Sequence, residues 1–358
     1  MSFFTILVIN PGSTSTKVAV TVNTKLTFLK NIKHPVDEIS KFERIADQYE
    51  YRKKIILREL KDADVDIKTL NAVIGRGGLL KPIQGGVYRV NDKMIHDIHN
   101  PMGEHVSNLG GIIAKEIANM AGKNVPAFIA DPTCVDEMDE IARVSGHPEI
   151  KRLSFLHALN QKAVARRFAK EKGIKYEDLN LIVVHMGGGI TVGAHKNGRI
   201  IDTNNGLNGD GPFSPERSGG LPSGQLVDLC FSGKFTKFEI MHMLKGGGGM
   251  IAYLGTNNLI DIEKKIEEGD KNAEMIYSAM AYQTAKLIGE MGTVLYGEVD
   301  GIILTGGIAY SEKFINLIIE RIKHIGPIII YPGEDEMLAL AMNCYLVLNG
   351  EVEAKDYS

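Results

Sequence analysis

A glycine-turned hairpin that occurs twice constrains this chain more than any other feature. Leu181 to Ala194 reads LIVVHMGGGITVGA. Four apolar residues, three of them β-branched, suit a buried strand; Gly187-Gly188-Gly189 forces a tight turn, and Ile190-Thr191-Val192 resumes an extended pattern. The same layout stands near the start, where Ile6-Leu7-Val8-Ile9 leads through Asn10-Pro11-Gly12-Ser13-Thr14-Ser15 into Thr16-Lys17-Val18-Ala19-Val20. Overlaying Ile9 on Val184 puts Asn10 on His185, Gly12 on Gly187 and Thr16 on Thr191. Two copies half a chain apart predict a duplicated α/β domain, with two such hairpins facing each other across a central cleft. Turns of this kind expose backbone N–H groups, which suit phosphate oxygens.

At 358 residues the chain is long enough for two domains of about 150 residues each. Its charge balance, formally −3, calls for neither nucleic acid nor a membrane surface. Cys134, Cys230 and Cys344 are few and widely spaced, without metal-ligand spacing, so reduced thiols in a cytoplasm are expected. No basic n-region precedes the first strand, and no apolar run approaches the roughly 20 residues of a membrane span. Residues 36–61 read as a surface helix, 92–99 and 104–122 as helices broken at Pro101 and Gly103, and 225–245 as one helix. Ser154 is placed to cap a helix reaching Lys172. A long helix is expected over 272–296, then strand, helix, strand and helix to Leu348, with a frayed polar tail from Asn349. Residues 204–224 hold six glycines and three prolines, too irregular for a regular element.

The chemistry-bearing residues point to phosphate. There is no Walker A loop, and the G-x-G-x-x-A string at Gly247–Ala252 lacks an entering strand. Ser13, Thr14 and Ser15 offer hydroxyls beside turn N–H groups, and Lys17 adds a point charge. His185 leaves its strand just before the glycines. Arg217 lies in the glycine- and proline-rich loop, which offers it little packing; it either anchors that loop on a carboxylate or clamps a transferring phosphoryl group. His157 near a helix start has a core, surface or functional role open to it. Asp131 ends a strand and faces a cleft. Gly306-Gly307 either makes an ordinary strand-to-helix turn or lets a flat base approach the backbone. Glu334, Asp335 and Glu336 open a helix, where the dipole favours acids in any case.

Together INPGSTSTK, HMGGG, PERSGG, LTGGIAYSEKF and EDEMLALA resemble the acetate and butyrate kinases, over about Ile6 to Val347. VIGRGGLLKPI, FIADPTCVDEM and FLHALNQKAVARR resemble the butyrate branch of that family. The resemblance implies duplicated ribonuclease H-like domains of actin-like ATPase architecture, 1–134 plus 337–358 and 135–336, closing around a hinge near 131–135 and 336–338. It implies ATP- and magnesium-dependent phosphorylation of butyrate to an acyl phosphate, reversibly, by a homodimer or larger homo-oligomer. Acetate, propionate or branched-chain acids are the alternative substrates, and a non-enzymatic nucleotide switch is the alternative class. By resemblance, Asn10 contacts magnesium or phosphate, Ser13, Ser15 and Lys17 line the phosphate path, and Gly187, Gly188 and Gly189 form the facing turn. Asp131 positions the carboxylate substrate, His157 and His185 bond phosphoryl oxygens, and Arg217 stabilises charge in transfer. Glu336 holds magnesium through water, and Gly306 and Gly307 border the adenosine. One departure stands out: acetate kinases carry H-R-x-x-H-G-G, where this chain has Val73 in place of the Arg and Arg76 in place of the second His. Arg76 is therefore the candidate carboxylate contact, from a shifted position.

Overall fold

Strands form where apolar residues run continuously or alternate, and the glycine turns fold them back on themselves. The structure is a computed structural model and describes residues 3–100, 105–207 and 209–358. The expected helix break at Pro101 and Gly103, and Asn208 of the glycine-rich loop, lie outside the described residues. Two units form: Met1–Val135 with Asp335–Ser358, and Asp136–Glu334. Val135, Asp335 and Glu336, assigned from the sequence to the second domain, thus group with the first.

In the first unit, β1 (Thr5–Pro11), β2 (Ser15–Val22) and β3 (Lys25–Lys33) make an antiparallel meander. β4 (Ala72–Arg76) lies parallel to β1, β5 (Val87–Arg89) runs antiparallel to β6 (Ala127–Ala130), and β6 lies parallel to β4. In the second unit, β7 (Leu181–Met186), β8 (Ile190–Lys196) and β9 (Arg199–Thr203) form another meander; β10 (Gly301–Gly306) and β11 (Ile328–Pro332) extend it in parallel. The sheet orders are β12-β5-β6-β4-β1-β2-β3, with β12 at Lys355–Asp356, and β11-β10-β7-β8-β9. Reading outward from the first strand of each meander, both cores follow one order, which is the duplication expected from the two hairpins.

The overlay of the hairpins needs one correction. Asn10 pairs with Lys17 and Pro11 with Thr16, whereas His185 pairs with Thr191 and Met186 with Ile190. The first turn is one residue longer, so Lys17, not Thr16, stands opposite Asn10 as Thr191 stands opposite His185.

Helices cover both faces of each sheet, so the central strands are buried throughout. In the second unit Ile182, Val184, Ile302 and Leu304 pack with Met280 and Ile288 of the long helix Lys271–Val294, and with Phe314 and Ile318 of Glu312–Ile322. The alternate residues Leu181, Val183 and Ile303 meet Ala165 and Phe168 of Ala158–Lys172. In the first unit Leu7, Ile9 and Val73 pack with Ile56, Leu60, Leu109 and Ile113.

Four expectations change. The segment 36–61 is no surface helix: it breaks before Tyr49–Asp62, which buries Arg52, Lys53, Ile56 and Leu60. The segment 225–245 splits into Ser223–Cys230 and Lys237–Leu244, with Gly233 between them at φ +72°. Ser154 is not the cap of the helix Ala158–Lys172; His157 takes that position, without a side-chain cap bond. The C-terminal tail is not frayed, because β12 pairs with β5 and Tyr357 is buried, its hydroxyl donating to Asp97 at 2.9 Å.

Candidate active site

In the first unit the chemistry-bearing residues stand at the C-terminal ends of parallel strands, the edge where open α/β sheets bind ligands. Asn10 is next to last in β1, Arg76 ends β4 and Asp131 follows β6. Asn10 donates through Nδ2 to Glu336 Oε2 at 2.5 Å, and Arg76 Nη1 lies 2.7 Å from Glu336 Oε1 and 2.9 Å from Oε2. Asp131 is buried, at φ +38°, and its carboxylate accepts from the Gly86 N–H at 2.7 Å, tying β6 to the entry of β5. Ser13, Thr14 and Lys17 are exposed on the turn, and Ser15 is half-buried.

Beneath that turn lies a cation that the sequence reading passed over. Arg52 is fully buried, and its guanidinium donates to the carbonyls of Gly12 (2.8 Å), Ser15 (3.1 Å) and Ser13 (3.0 Å), to Thr16 Oγ1, and to Gln48. One buried cation thus holds the turn by three of its carbonyls. Burial lowers the Arg52 pKa to about 10, so it stays charged at neutral pH. His34 Nε2 lies 2.8 Å from Thr16 Oγ1; burial, and then the Arg52 charge, lower its pKa to about 4.

In the second unit the three glycines each make room for a different side chain. A Cβ on Gly187 would lie 3.2 Å from Glu334 Oε1, and one on Gly188 would lie 3.1 Å from Glu216 Oε2. On Gly189 it would fall 1.9 Å from Arg217 Nη1. The guanidinium thus lies against the turn, and Nη1 donates to the Gly206 carbonyl. Ser214 Oγ donates to the Gly188 carbonyl at 2.7 Å, and Glu216 N donates to it at 3.2 Å, fastening the irregular loop to the turn. The expectation that this loop offers Arg217 little packing is therefore overturned. Burial lowers the Arg217 pKa from its ordinary value, and Glu216 opposes that shift.

His185 is buried at the end of β7, with Nε2 3.0 Å from Glu334 Oε1 and with Nδ1 lacking a hydrogen-bond partner. The His157 ring stacks on it, centroids 4.0 Å apart. Gly306, at φ +92°, is required by packing, since a Cβ there would meet the Met186 carbonyl oxygen at 2.3 Å. Gly307 faces open space, which leaves its backbone approachable.

With this geometry in place, comparison with known proteins is informative. A model of the acetokinase family matches residues 144–335. Two relatives from Clostridium acetobutylicum, named butyrate kinase 2 and butyrate kinase 1, are 57% and 56% identical over 355 residues, 99% of this chain and 99% of each relative. The chain belongs to the acetokinase family. Its fold is that of solved family structures. An acetate kinase from Porphyromonas gingivalis superposes with TM-score 0.78 at 18% identity, covering 96% of this chain and 100% of that one. A propionate kinase from Francisella tularensis superposes with TM-score 0.76 at 18% identity, covering 95% and 98%. The actin-like ATPase architecture expected from the sequence is thereby established.

Within this acetokinase-family chain, the structure brings Asn10, Arg76 and Glu336 into contact, and it brings His157, His185 and Arg217 around the glycine turn. Asp131 instead engages the Gly86 backbone. Among the described residues no three His, Cys, Asp or Glu side chains converge as a metal cluster. Asn10 turns its Nδ2 to Glu336 here, yet the Glu336 carboxylate and the Asn10 amide oxygen are hard donors at neighbouring positions, which fits magnesium, an ion that keeps several waters and takes only one or two carboxylates. Among the described residues no helix is long and apolar enough to cross a membrane. Sequence reasoning missed Arg52 and the contact of Glu334 with His185. A polar residue inside an amphipathic helix is the signal for Arg52, and that signal is common on solvated faces.

Proposed function

We propose that this chain phosphorylates butyrate with ATP, giving butyryl phosphate and ADP, and runs the reverse reaction as well. The observation that carries the reading is the convergence of Arg217, His185 and His157 on the Gly187–Gly189 turn, an array of nitrogen donors suited to phosphoryl oxygens. Its relatives named butyrate kinase support the choice of acid.

A carboxylate is already ionised at neutral pH, so no general base is needed. A carboxylate oxygen attacks the γ-phosphorus in line; the new O–P bond forms as the bond to ADP breaks, and the electron pair leaves on the β-phosphate oxygen. The work left to the protein is to bring anions together and neutralise developing charge. Arg217 meets equatorial oxygens with a planar fork of donors, and His185 and His157 donate to the same group. The turn Ser13–Ser15, with Lys17, receives phosphate oxygens, its carbonyls held from beneath by Arg52. The turn at Gly187, Gly188 and Gly189 lets phosphate approach the backbone, and Gly306 and Gly307 border the adenosine. Asn10 and Glu336 hold magnesium, which neutralises phosphate charge when bound. Arg76, paired with Glu336 in this structure, takes the acid's carboxylate, and Asp131 fixes the strand ends around it. The working enzyme is a cytoplasmic homodimer or larger homo-oligomer.

The test traps acyl phosphate with hydroxylamine and compares kcat/KM for acetate, propionate, butyrate, isobutyrate and valerate. Each methylene in an apolar pocket is worth about 1–3 kcal/mol, so butyrate should exceed acetate at least tenfold. An acetate optimum overturns the choice of acid. ATP hydrolysis without any acid-dependent product overturns the kinase reading.

A further inference from the structure

Behind His157 runs a line of buried polar side chains that phosphate binding does not explain. Tyr176, His195, Gln161 and Thr191 are all at most 6% exposed. Tyr176 Oη lies 2.7 Å from His195 Nδ1, and His195 Nε2 lies 3.0 Å from Gln161 Oε1. Gln161 Nε2 reaches Thr191 Oγ1 at 3.0 Å and the Thr191 carbonyl oxygen at 3.2 Å; Thr191 Oγ1 lies 3.0 Å from His157 Nδ1.

The direction of the protons in this line follows from the groups that can only accept and from the buried hydroxyl between them. A backbone carbonyl only accepts, so the Gln161 atom facing the Thr191 carbonyl is the amide nitrogen, and Oε1 must face His195. That oxygen also only accepts, so His195 carries its hydrogen on Nε2. Burial, with the Lys162 and Arg166 charges adding to it, holds the His195 pKa well below its ordinary value, so the ring is neutral and Nδ1 accepts from Tyr176. At the other end, Gln161 Nε2 donates to Thr191 Oγ1; among the described residues the only other group at that buried hydroxyl is His157 Nδ1, so the threonine satisfies its own hydrogen by donating to that nitrogen. The His157 ring hydrogen then sits on Nε2, because the bond made by one ring nitrogen sets the state of the other.

We propose that Tyr176, His195, Gln161 and Thr191 are positioning residues that hold His157 as its Nε2–H tautomer. That tautomer donates to an anionic phosphoryl oxygen, whereas the other would aim a lone pair at it. The benefit to phosphoryl transfer rests on the function proposed above; the tautomer does not.

The experiment is 15N-edited NMR of the full chain labelled at histidine, at neutral pH without ligand, with the His157 signals assigned by their loss in His157→Gln. The expected wild-type pattern is a single neutral ring protonated at Nε2. Thr191→Val keeps the side-chain shape but removes the donor, and should give mixed tautomers. It should also lower kcat for butyrate about tenfold, the worth of one hydrogen bond to a charged oxygen, with KM for ATP changed less than twofold. A wild-type ring protonated at Nδ1, or at both nitrogens, overturns the proposal, and this reading does not depend on Thr191→Val folding. An unaltered tautomer in folded Thr191→Val also overturns it. If the tautomer is as proposed but His157→Ala retains wild-type kcat, the phosphoryl role of His157 falls instead, so the two ideas fail separately.

Discussion

Replacing Gly189 with alanine should disable Arg217 without touching it. A Cβ on Gly189 falls 1.9 Å from Arg217 Nη1 and 2.4 Å from Cζ, against the ~3.5–4.0 Å of an ordinary carbon contact. Gly189 is not among the positive-φ residues, so alanine fits its backbone. The obstructed atoms end a flexible side chain, so the guanidinium should move, by about 1.5–2 Å on those distances. A misplacement of about 1 Å already costs on the order of 10²-fold, and arginines in this role contribute roughly 10³–10⁵. Gly189→Ala should therefore lower kcat by about 10²–10³-fold. Stability should suffer less. Loss of the bond to the Gly206 carbonyl costs roughly 1.5–3 kcal/mol. A stiffer unfolded chain offsets about 0.4–1 kcal/mol of that. The net loss of ~1–2 kcal/mol corresponds to a Tm lower by roughly 2–8 °C. The assay is a double-mutant cycle with Arg217→Ala, reading kcat, KM and Tm. If alanine acts through Arg217, the double variant should be no slower than Arg217→Ala alone. Losses that multiply, or a Gly189→Ala enzyme with wild-type kcat, would refute the reasoning.

Arg52→Met should lose at least about 4 kcal/mol in urea unfolding, since three turn carbonyls and Gln48 lose their shared donor at roughly 1–3 kcal/mol each. A loss below about 1 kcal/mol would contradict its role, and Arg52→Lys, with charge but no fork, should fall between. His34 titrates in the folded chain at about 4 rather than 6.5, so between those values the unfolded chain binds a proton that the folded one refuses. Its contribution is complete above pH 6.5 and is lost as pH falls toward 4, so the slope of stability against pH should flatten in His34→Gln; an unchanged slope would show that His34 is already protonated when folded. Tyr357→Ala should cost about 3–5 kcal/mol, the range for a buried aromatic, whereas a loose tail would make it silent in the same denaturation assay.

The apolar runs and glycine turns are local, and local chemistry was enough to draw both hairpins and their duplication. A strand followed by glycines and a second strand leaves few alternatives for residues 6–20 and 181–194. The motifs spaced along the chain carried the family and the residues to watch. What the sequence left open depends on contacts between residues far apart. Arg52 supports a turn some forty positions before it, and the pattern of its helix only marks it as a polar residue among apolar ones. Gln161 orients His157 through Thr191, thirty positions on. The clearest case is the run Glu334-Asp335-Glu336. As a string it is three acids opening a helix, yet Glu334 turns to His185 in the second unit and Glu336 to Asn10 and Arg76 in the first. Side-chain direction changes where an extended segment becomes a helix, so the backbone path at Asp335 decides which partner each carboxylate meets. Composition and spacing carry no record of that path.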